Sequence, residues 1–254
     1  YVVIMSLANT VALAKHAPYI LPYSVDLTGY ETIFKDATFF QALGTTLFVT
    51  VVGVAINMTL SILGAYALSK KYLPGRNLFL GIILFTMLFS GGLVPSYLNI
   101  KSLGLINNVW TMILPTAIGT YYMIIMKNYF SSLPESLEEA AKLDGANAFA
   151  ILIKIVVPIS KPFIATFSLF YAVERWNEWY NAMLYISKKT YQPLQIYLRE
   201  LLVNLNSQLS AQAQMMMGET QKIQASTVQM ACIVVTMVPI LCIYPFVQKH
   251  FVKG

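Results

Sequence analysis

Four long stretches without a charged side chain constrain this sequence more than any other feature: Ala37–Ser69, 77–100, 102–126 and 223–248. Each exceeds the ~20 residues that an α-helix needs to cross a hydrocarbon core of ~30 Å, whereas the buried helices of soluble proteins give apolar runs of roughly 10 to 14. With 57% hydrophobic and 11% charged residues, the chain also has too few polar side chains to cover a water-soluble globule. Two further crossings are expected. One is the uncharged run 1–14, which begins without Met and reads as the outer end of a helix whose start is missing. The other lies within 154–185 and is interrupted by Lys161, Glu174, Arg175 and Glu178. The expected fold is all-α, a polytopic membrane bundle of about six transmembrane helices in a single domain over 1–254, with both ends of the full protein in the cytoplasm.

A net charge of +6 and a pI near 9.2 would suggest nucleic acid in a soluble protein. In a membrane protein Lys and Arg report orientation instead, so nucleic-acid binding is not indicated. Lys70, Lys71, Arg76, Lys127, Lys142, Lys154, Lys161, Lys249 and Lys253 fall on one side of the alternating topology, and that side is read as cytoplasmic. The other side carries most of the acids: Asp26, Glu31, Asp36, Glu200 and Glu219.

Enzymatic chemistry finds no foothold. The two histidines, His16 and His250, are too few for a metal cluster or a His-based triad, and Cys232 and Cys242 read as small packing residues. No G-x-x-x-x-G-K-[ST] phosphate loop occurs, so any ATP that drives this chain binds elsewhere.

Along the chain, Pro18, Pro22 and Gly29 break an outer segment near 15–40. Small residues in the next span, among them Gly44, Gly53, Ser61 and Gly64, allow close helix approach. Pro74-Gly75 marks a turn. The third helix is expected to run to about Pro95, and the fourth from about 107 to 127 with a bend at Pro115. In the hydrophilic stretch 181–221, Leu194, Leu198, Leu201, Leu202 and Leu205 recur at helical spacing. That helix either lies on the membrane or its own bundle, or meets a delivery protein from outside.

Between the fourth and fifth spans, Ser132 followed by Glu135 has the pattern of a capping box, and Pro134 suits a first turn, so a short charged helix is predicted there. Leu133, Leu137, Ala140, Ala141 and Asp144 share one side, while Glu135, Glu138, Glu139 and Lys142 spread over more exposed positions. Gly145 is expected to end the helix in the left-handed conformation.

The string Glu139-Ala140-Ala141, then Gly145 after three residues, and Ile155 and Val157-Pro158 beyond, resembles the EAA loop of bacterial ABC importer permeases, with Asp144 and Ala146 matching its fuller form. Val157 stands where Leu is more usual. The resemblance implies that the loop, about 131–149, is a coupling helix received by an ATPase subunit, with Glu139, Ala140, Ala141, Asp144, Gly145 and Ala146 as the coupling residues. Glu174, Arg175, Trp176, Asn177, Glu178 and Trp179 form a second string, similar to the W-N signature of maltose-type carbohydrate importer permeases. A charge at mid-membrane costs roughly 2.5 to 3.5 kcal/mol on insertion scales, so these residues either line a wet substrate path or lie at the membrane interface, where Trp and Tyr gather.

The resemblance further implies a bacterial inner-membrane permease subunit that passes an oligosaccharide inward by alternating access. Its partners would be a homologous second permease subunit, two ATPase subunits, an extracytoplasmic solute-binding protein and membrane lipid. No cofactor is expected on this chain, with ATP and Mg held by the ATPase partners. The alternative is an importer of the same class for an amino acid, peptide or polyamine. Arg175, Lys188, Lys189 and Arg199 are read either as solvated loop charges or as attracting an anionic sugar.

Overall fold

A computed structural model describes residues 2–7, 25–213 and 227–241, and within 205–213 it describes the backbone alone. Among these the regular structure is helical: α1 (Val2–Ser6), α2 (Thr28–Phe34), α3 (Ala37–Ser69), α4 (Arg76–Leu88), α5 (Leu93–Ser102), α6 (Thr120–Ser132), α7 (Glu135–Leu143), α8 (Ala148–Ile159), α9 (Lys161–Trp176), α10 (Tyr180–Tyr185), α11 (Leu194–Ala213) and α12 (Thr227–Leu241). Cys242, Leu205's side chain and most of the predicted first span lie outside the described residues, as do the ends of the last.

Among the described residues, α3 alone is long and apolar enough to cross a bilayer unbroken, at 33 residues or ~50 Å. Three more spans are bent pairs: α4 with α5 at 116°, two 3-10 turns (Val109–Met112 and Leu114–Thr116) with α6 at 46°, and α8 with α9 and α10 at 86°. The sequence expectation of a third helix reaching Pro95 is corrected: α4 stops at Leu88, Phe89 is extended and Gly92 takes φ +86°. The Gly91-Gly92 pair supplies the freedom for that corner, and Pro95 falls in the first turn of α5, where its missing N–H costs no bond. The fourth span is likewise not a bent α-helix from 107. Pro115 cannot donate into an α-helical ladder, and regular helix begins at Thr120. Leu152–Val156 winds as a π-helical turn inside α8, and Pro158 and Pro162 flank the break at Ser160.

The described residues divide into two compact units, one of 48–176 and one of 2–7, 25–47, 177–213 and 227–241. The first is organised around Met58, Ala65, Tyr66, Met126, Phe130 and Tyr171, with Ala141 of α7 and Ile151 of α8 in the same cluster. Rings hold α6 to α9: Tyr129 stacks on Phe163 at 3.9 Å, and Tyr122 meets Tyr171 edge-on at 5.0 Å. A Cβ at Gly64 would come within 2.9 Å of the Met123 sulfur, so glycine there permits the approach of α3 to α6. Gly44, expected in the same role, faces open space: a Cβ there would meet nothing within 4 Å.

In the second unit the predicted amphipathic helix is present as α11, with Leu194, Ile196, Tyr197 and Leu198 buried. The Leu194 N–H donates to Thr46 Oγ1 at 2.7 Å, and Tyr197 Oη donates to Asp36 Oδ2 at 2.9 Å, which ties α11 to the start of α3.

Candidate functional site

Two regions carry the residues singled out in the sequence, and the first is α7. Leu133 and Pro134 are extended, so the chain leaves α6 through a joint without helical hydrogen bonds. The residue before a proline disfavours helical backbone, and that preference overrides the expected capping box. Ser132 stays in the last turn of α6, where its hydroxyl donates to the Tyr129 carbonyl at 2.8 Å, and α7 starts at Glu135 without a side-chain cap. Its other end is as predicted. Gly145 takes φ +79°, its N–H donates to the Lys142 carbonyl at 3.0 Å, and the Ala146 N–H donates to the Ala141 carbonyl at 2.9 Å. Those two bonds make a Schellman motif that satisfies carbonyls the helix end would leave bare. Asn147 then caps α8, its side chain accepting from Ala150 N–H at 2.8 Å.

The face of α7 differs from expectation. Ala141, 8% exposed, packs into the core, and Leu133 and Ala146 are half-buried. Glu138, placed outward in the sequence, turns inward instead and pairs with Lys70, which also lies 4.1 Å from the centre of the Tyr66 ring. Glu139, Ala140, Asp144 and Gly145 face outward, together with Leu137, Phe149 and Leu143, the last 89% exposed. A charged helix thus presents large apolar side chains to whatever lies beyond it. Beside it Lys71 pairs with Glu135 at 3.0 Å, and that interaction draws the Glu135 carboxyl below the usual range.

The second region is the end of α9. Arg175 is only 4% exposed. Its Nε donates to Asn57 Oδ1 at 3.0 Å, Nη1 to the Met112 carbonyl at 2.5 Å and to Thr116 Oγ1 at 2.8 Å, and Nη2 to the carbonyls of Thr116 at 2.6 Å and Ile113 at 3.5 Å. The interrupted segment 109–119 lacks the α-helical ladder that would use these carbonyls, and the planar guanidinium takes their place. Asn57 Nδ2 donates to the same Thr116 carbonyl at 2.9 Å, and the Gly119 N–H donates to Tyr171 Oη at 3.1 Å. Gly53 makes room, since a Cβ there would lie 3.0 Å from Arg175 Cδ.

The other residues of the string have separate surroundings. Glu174 is exposed and accepts from Tyr122 Oη at 2.7 Å, whereas Trp176 is buried. In the other unit, Asn177 Oδ1 accepts from Gln195 Nε2 at 3.3 Å. Glu178 accepts from Asn181 N–H at 3.0 Å near the start of α10, and Trp179 is half exposed, edge-on to Tyr180 at 5.8 Å. Asn57, Thr116 and Lys70 had no site role in the sequence reading. The one available signal was an amide side chain, Asn57, in the middle of a charge-free span.

Residues 75–254 match the sequence family described as the binding-protein-dependent transport system inner membrane component. The chain belongs to this family. Members are membrane permease subunits, and the matched stretch contains α7 and all of the 174–179 string. Two relatives from Bacillus subtilis (strain 168) are each 42% identical over 100% of this chain: the protein LplC, covered to 85%, and the polygalacturonan/rhamnogalacturonan transport system permease protein YtcP, covered to 88%. A crystal structure of a bacterial ABC transporter involved in the import of the acidic polysaccharide alginate contains a chain that is 36% identical and superposes with a TM-score of 0.87, covering 99% of this chain and 89% of that one.

Proposed function

We propose that this permease carries an oligosaccharide rich in uronic acid across the bacterial inner membrane, and that α7 is the element through which ATP hydrolysis on partner subunits drives it. The observation that carries the mechanism is α7 itself: a glycine-stopped, charged helix hung on an extended joint, with Glu139, Ala140, Asp144 and Leu143 facing outward. Such a helix suits reception in a groove of another protein. The substrate class is supported by relatives whose names refer to polygalacturonan, rhamnogalacturonan and alginate.

In this reading two ATPase subunits, which hold ATP and Mg, grip α7 of this chain and its counterpart on a second permease subunit. An extracytoplasmic binding protein delivers the sugar, and the termini of the full protein lie in the cytoplasm. Closure of the ATPases moves α7, and the spans rock between inward-open and outward-open states. Lys188, Lys189 and Arg199, all exposed, are the cations assigned in this reading to attract an anionic sugar. Arg175 leaves that set, because its guanidinium is buried against backbone carbonyls.

The test is reconstitution of the purified complex in liposomes. Binding protein loaded with uronate oligosaccharide is expected to stimulate ATP hydrolysis and uptake, and neutral oligosaccharide to do so at least about tenfold less. Glu139→Lys is expected to abolish both while leaving the permease inserted. Equal use of neutral and acidic sugars overturns the substrate assignment, and full activity of Glu139→Lys overturns the coupling assignment.

A further inference from the structure

We infer that the ion pair between Lys70 and Glu138 is the latch through which displacement of α7 is handed to the long span α3, making the two residues positioning residues for transport. The inference rests on the coupling role proposed for α7.

The covalent chain ties α7 only to its sequence neighbours, and loosely. On one side stands the extended Leu133-Pro134 joint, and on the other the left-handed Gly145. Neither joint continues the helix into the next one, so non-covalent contacts help decide which span follows when α7 is pulled. Ala141 packs in a core shared by α3, α6 and α8, and the polar contacts of α7 converge on the residues that follow the last turn of α3. Lys70 and Lys71 come directly after Ser69 and meet Glu138 and Glu135, one and two turns back along α7 from Lys142. Lys142 in turn lies 5.1 Å from the centre of the Tyr72 ring, and from the end of α6 Ser131 Oγ donates to the Ser69 carbonyl at 3.5 Å. Arg76 Nε donates to the Leu68 carbonyl at 2.8 Å, which holds the same turn from its far side.

The two ion pairs differ in environment. The side chains of Lys71 and Glu135 are 83% and 73% exposed, a setting in which an ion pair contributes little. Those of Lys70 and Glu138 are 12% and 16% exposed, with Ala141 packed in the core one turn on. Removing either partner there leaves a poorly hydrated charge, so the pair resists separation far more than its exposed neighbour. Glu138 and Ala141 form the inward side of α7, turned away from the exposed side that an outside partner would meet. That placement fits a contact that keeps α7 and α3 moving as one body.

The experiment uses the complete transporter in liposomes, comparing wild type, Lys70→Glu, Glu138→Lys, the double exchange, Lys70→Met, Glu138→Gln and, as the exposed-pair control, Glu135→Gln. Three quantities are measured: co-purification of the ATPase subunits, ATP hydrolysed, and sugar transported per ATP. Each change at Lys70 or Glu138 alone is expected to retain the ATPase subunits yet lower sugar transported per ATP at least about fivefold. The double exchange should restore it to within about twofold, and Glu135→Gln should stay within about twofold of wild type. Wild-type coupling in both Lys70→Met and Glu138→Gln overturns the latch, and so does failure of the double exchange to improve on either single reversal. A cross-link between Ala140→Cys and the ATPase subunit in the wild-type background separates the two ideas. If it forms while the latch variants couple normally, the latch alone falls. If it does not form, the coupling role of α7 falls and the latch with it.

Discussion

Arg175 takes both oxygens of Thr116, the carbonyl at 2.6 Å and the hydroxyl at 2.8 Å, and so joins α9 to the interrupted segment in front of α6. A lysine keeps the charge but lacks the planar fork that reaches several acceptors at once. Arg175→Lys is therefore expected to destabilise the protein by about 3 kcal/mol, because the carbonyls of the buried Met112 and Ile113 lose donors and Thr116 loses one of the two on its carbonyl. Thr116→Val, which removes one acceptor, should cost about 1 to 2 kcal/mol. Thermal unfolding in detergent ranks the two, and equal midpoints for Arg175→Lys and wild type would show that the fork is dispensable.

Gly119 and Gly44 offer a matched contrast. A Cβ at Gly119 would sit 2.8 Å from the Tyr171 hydroxyl, while one at Gly44 would meet nothing within 4 Å. Gly119→Ala is expected to cost about 1 to 3 kcal/mol through overpacking, and Gly44→Ala to be neutral or slightly stabilising because it reduces unfolded-chain entropy. Unfolding midpoints of the two variants check the order.

At Gly145 the space is open but the backbone is left-handed, with φ +79°, so any penalty is conformational. Gly145→Asp should cost about 1 to 2 kcal/mol at the end of α7, and Gly145→Asn less, since asparagine enters that region more readily. Uptake and substrate-stimulated ATP hydrolysis should fall in the same order, with membrane insertion unchanged. Full uptake by the Asp variant would show that the helix stop is not needed.

Asp36 makes the contact between α11 and the start of α3 sensitive to acid. Hydrogen bonds from Thr38, side chain and N–H, with the Tyr197 hydroxyl and Lys189 adding to them, hold its carboxyl below the ordinary 3.8. A depressed folded value means that the ionised contact stabilises above 3.8 and is lost as pH falls through the lower folded value. Hydrogen-exchange protection at Leu194–Leu198 should hold from about pH 6 to about pH 4 and drop below that in wild type. In Asp36→Asn it should be lower throughout and flat, and a wild-type profile in that variant would remove Asp36 from the account.

What the sequence disclosed was local. The Gly145 stop was legible because every atom in the Schellman motif lies within six residues, and the amphipathic α11 was legible from leucine spacing. Charge-free runs located α3 and the spans of 77–100 and 102–126 but not where the latter two break, because a break depends on who receives the freed carbonyls. For Met112 and Ile113 the receiver is a guanidinium 63 and 62 residues further on, beyond the reach of any periodicity. Glu138 was misplaced for the same reason. A glutamate on a charged helix is ordinarily solvated, and only Lys70, 68 residues away, draws it inward. The Ser132 capping box failed on a local rule, since the effect of Pro134 on Leu133 outweighed a familiar spacing.

The corner between α4 and α5 has a consequence for the surrounding bilayer. α4 spans 13 residues, ~20 Å, buries none of them fully, with Leu80 and Ile83 partly buried against the core, and gives way at Phe89–Gly92 to a backbone without regular helical pairing. Acyl chains offer no partners to peptide groups. Hydrocarbon is thus barred from that elbow, which must be bathed by water or roofed by a neighbouring polypeptide, and a lipid-soluble label attached at Gly91 should find no oil there.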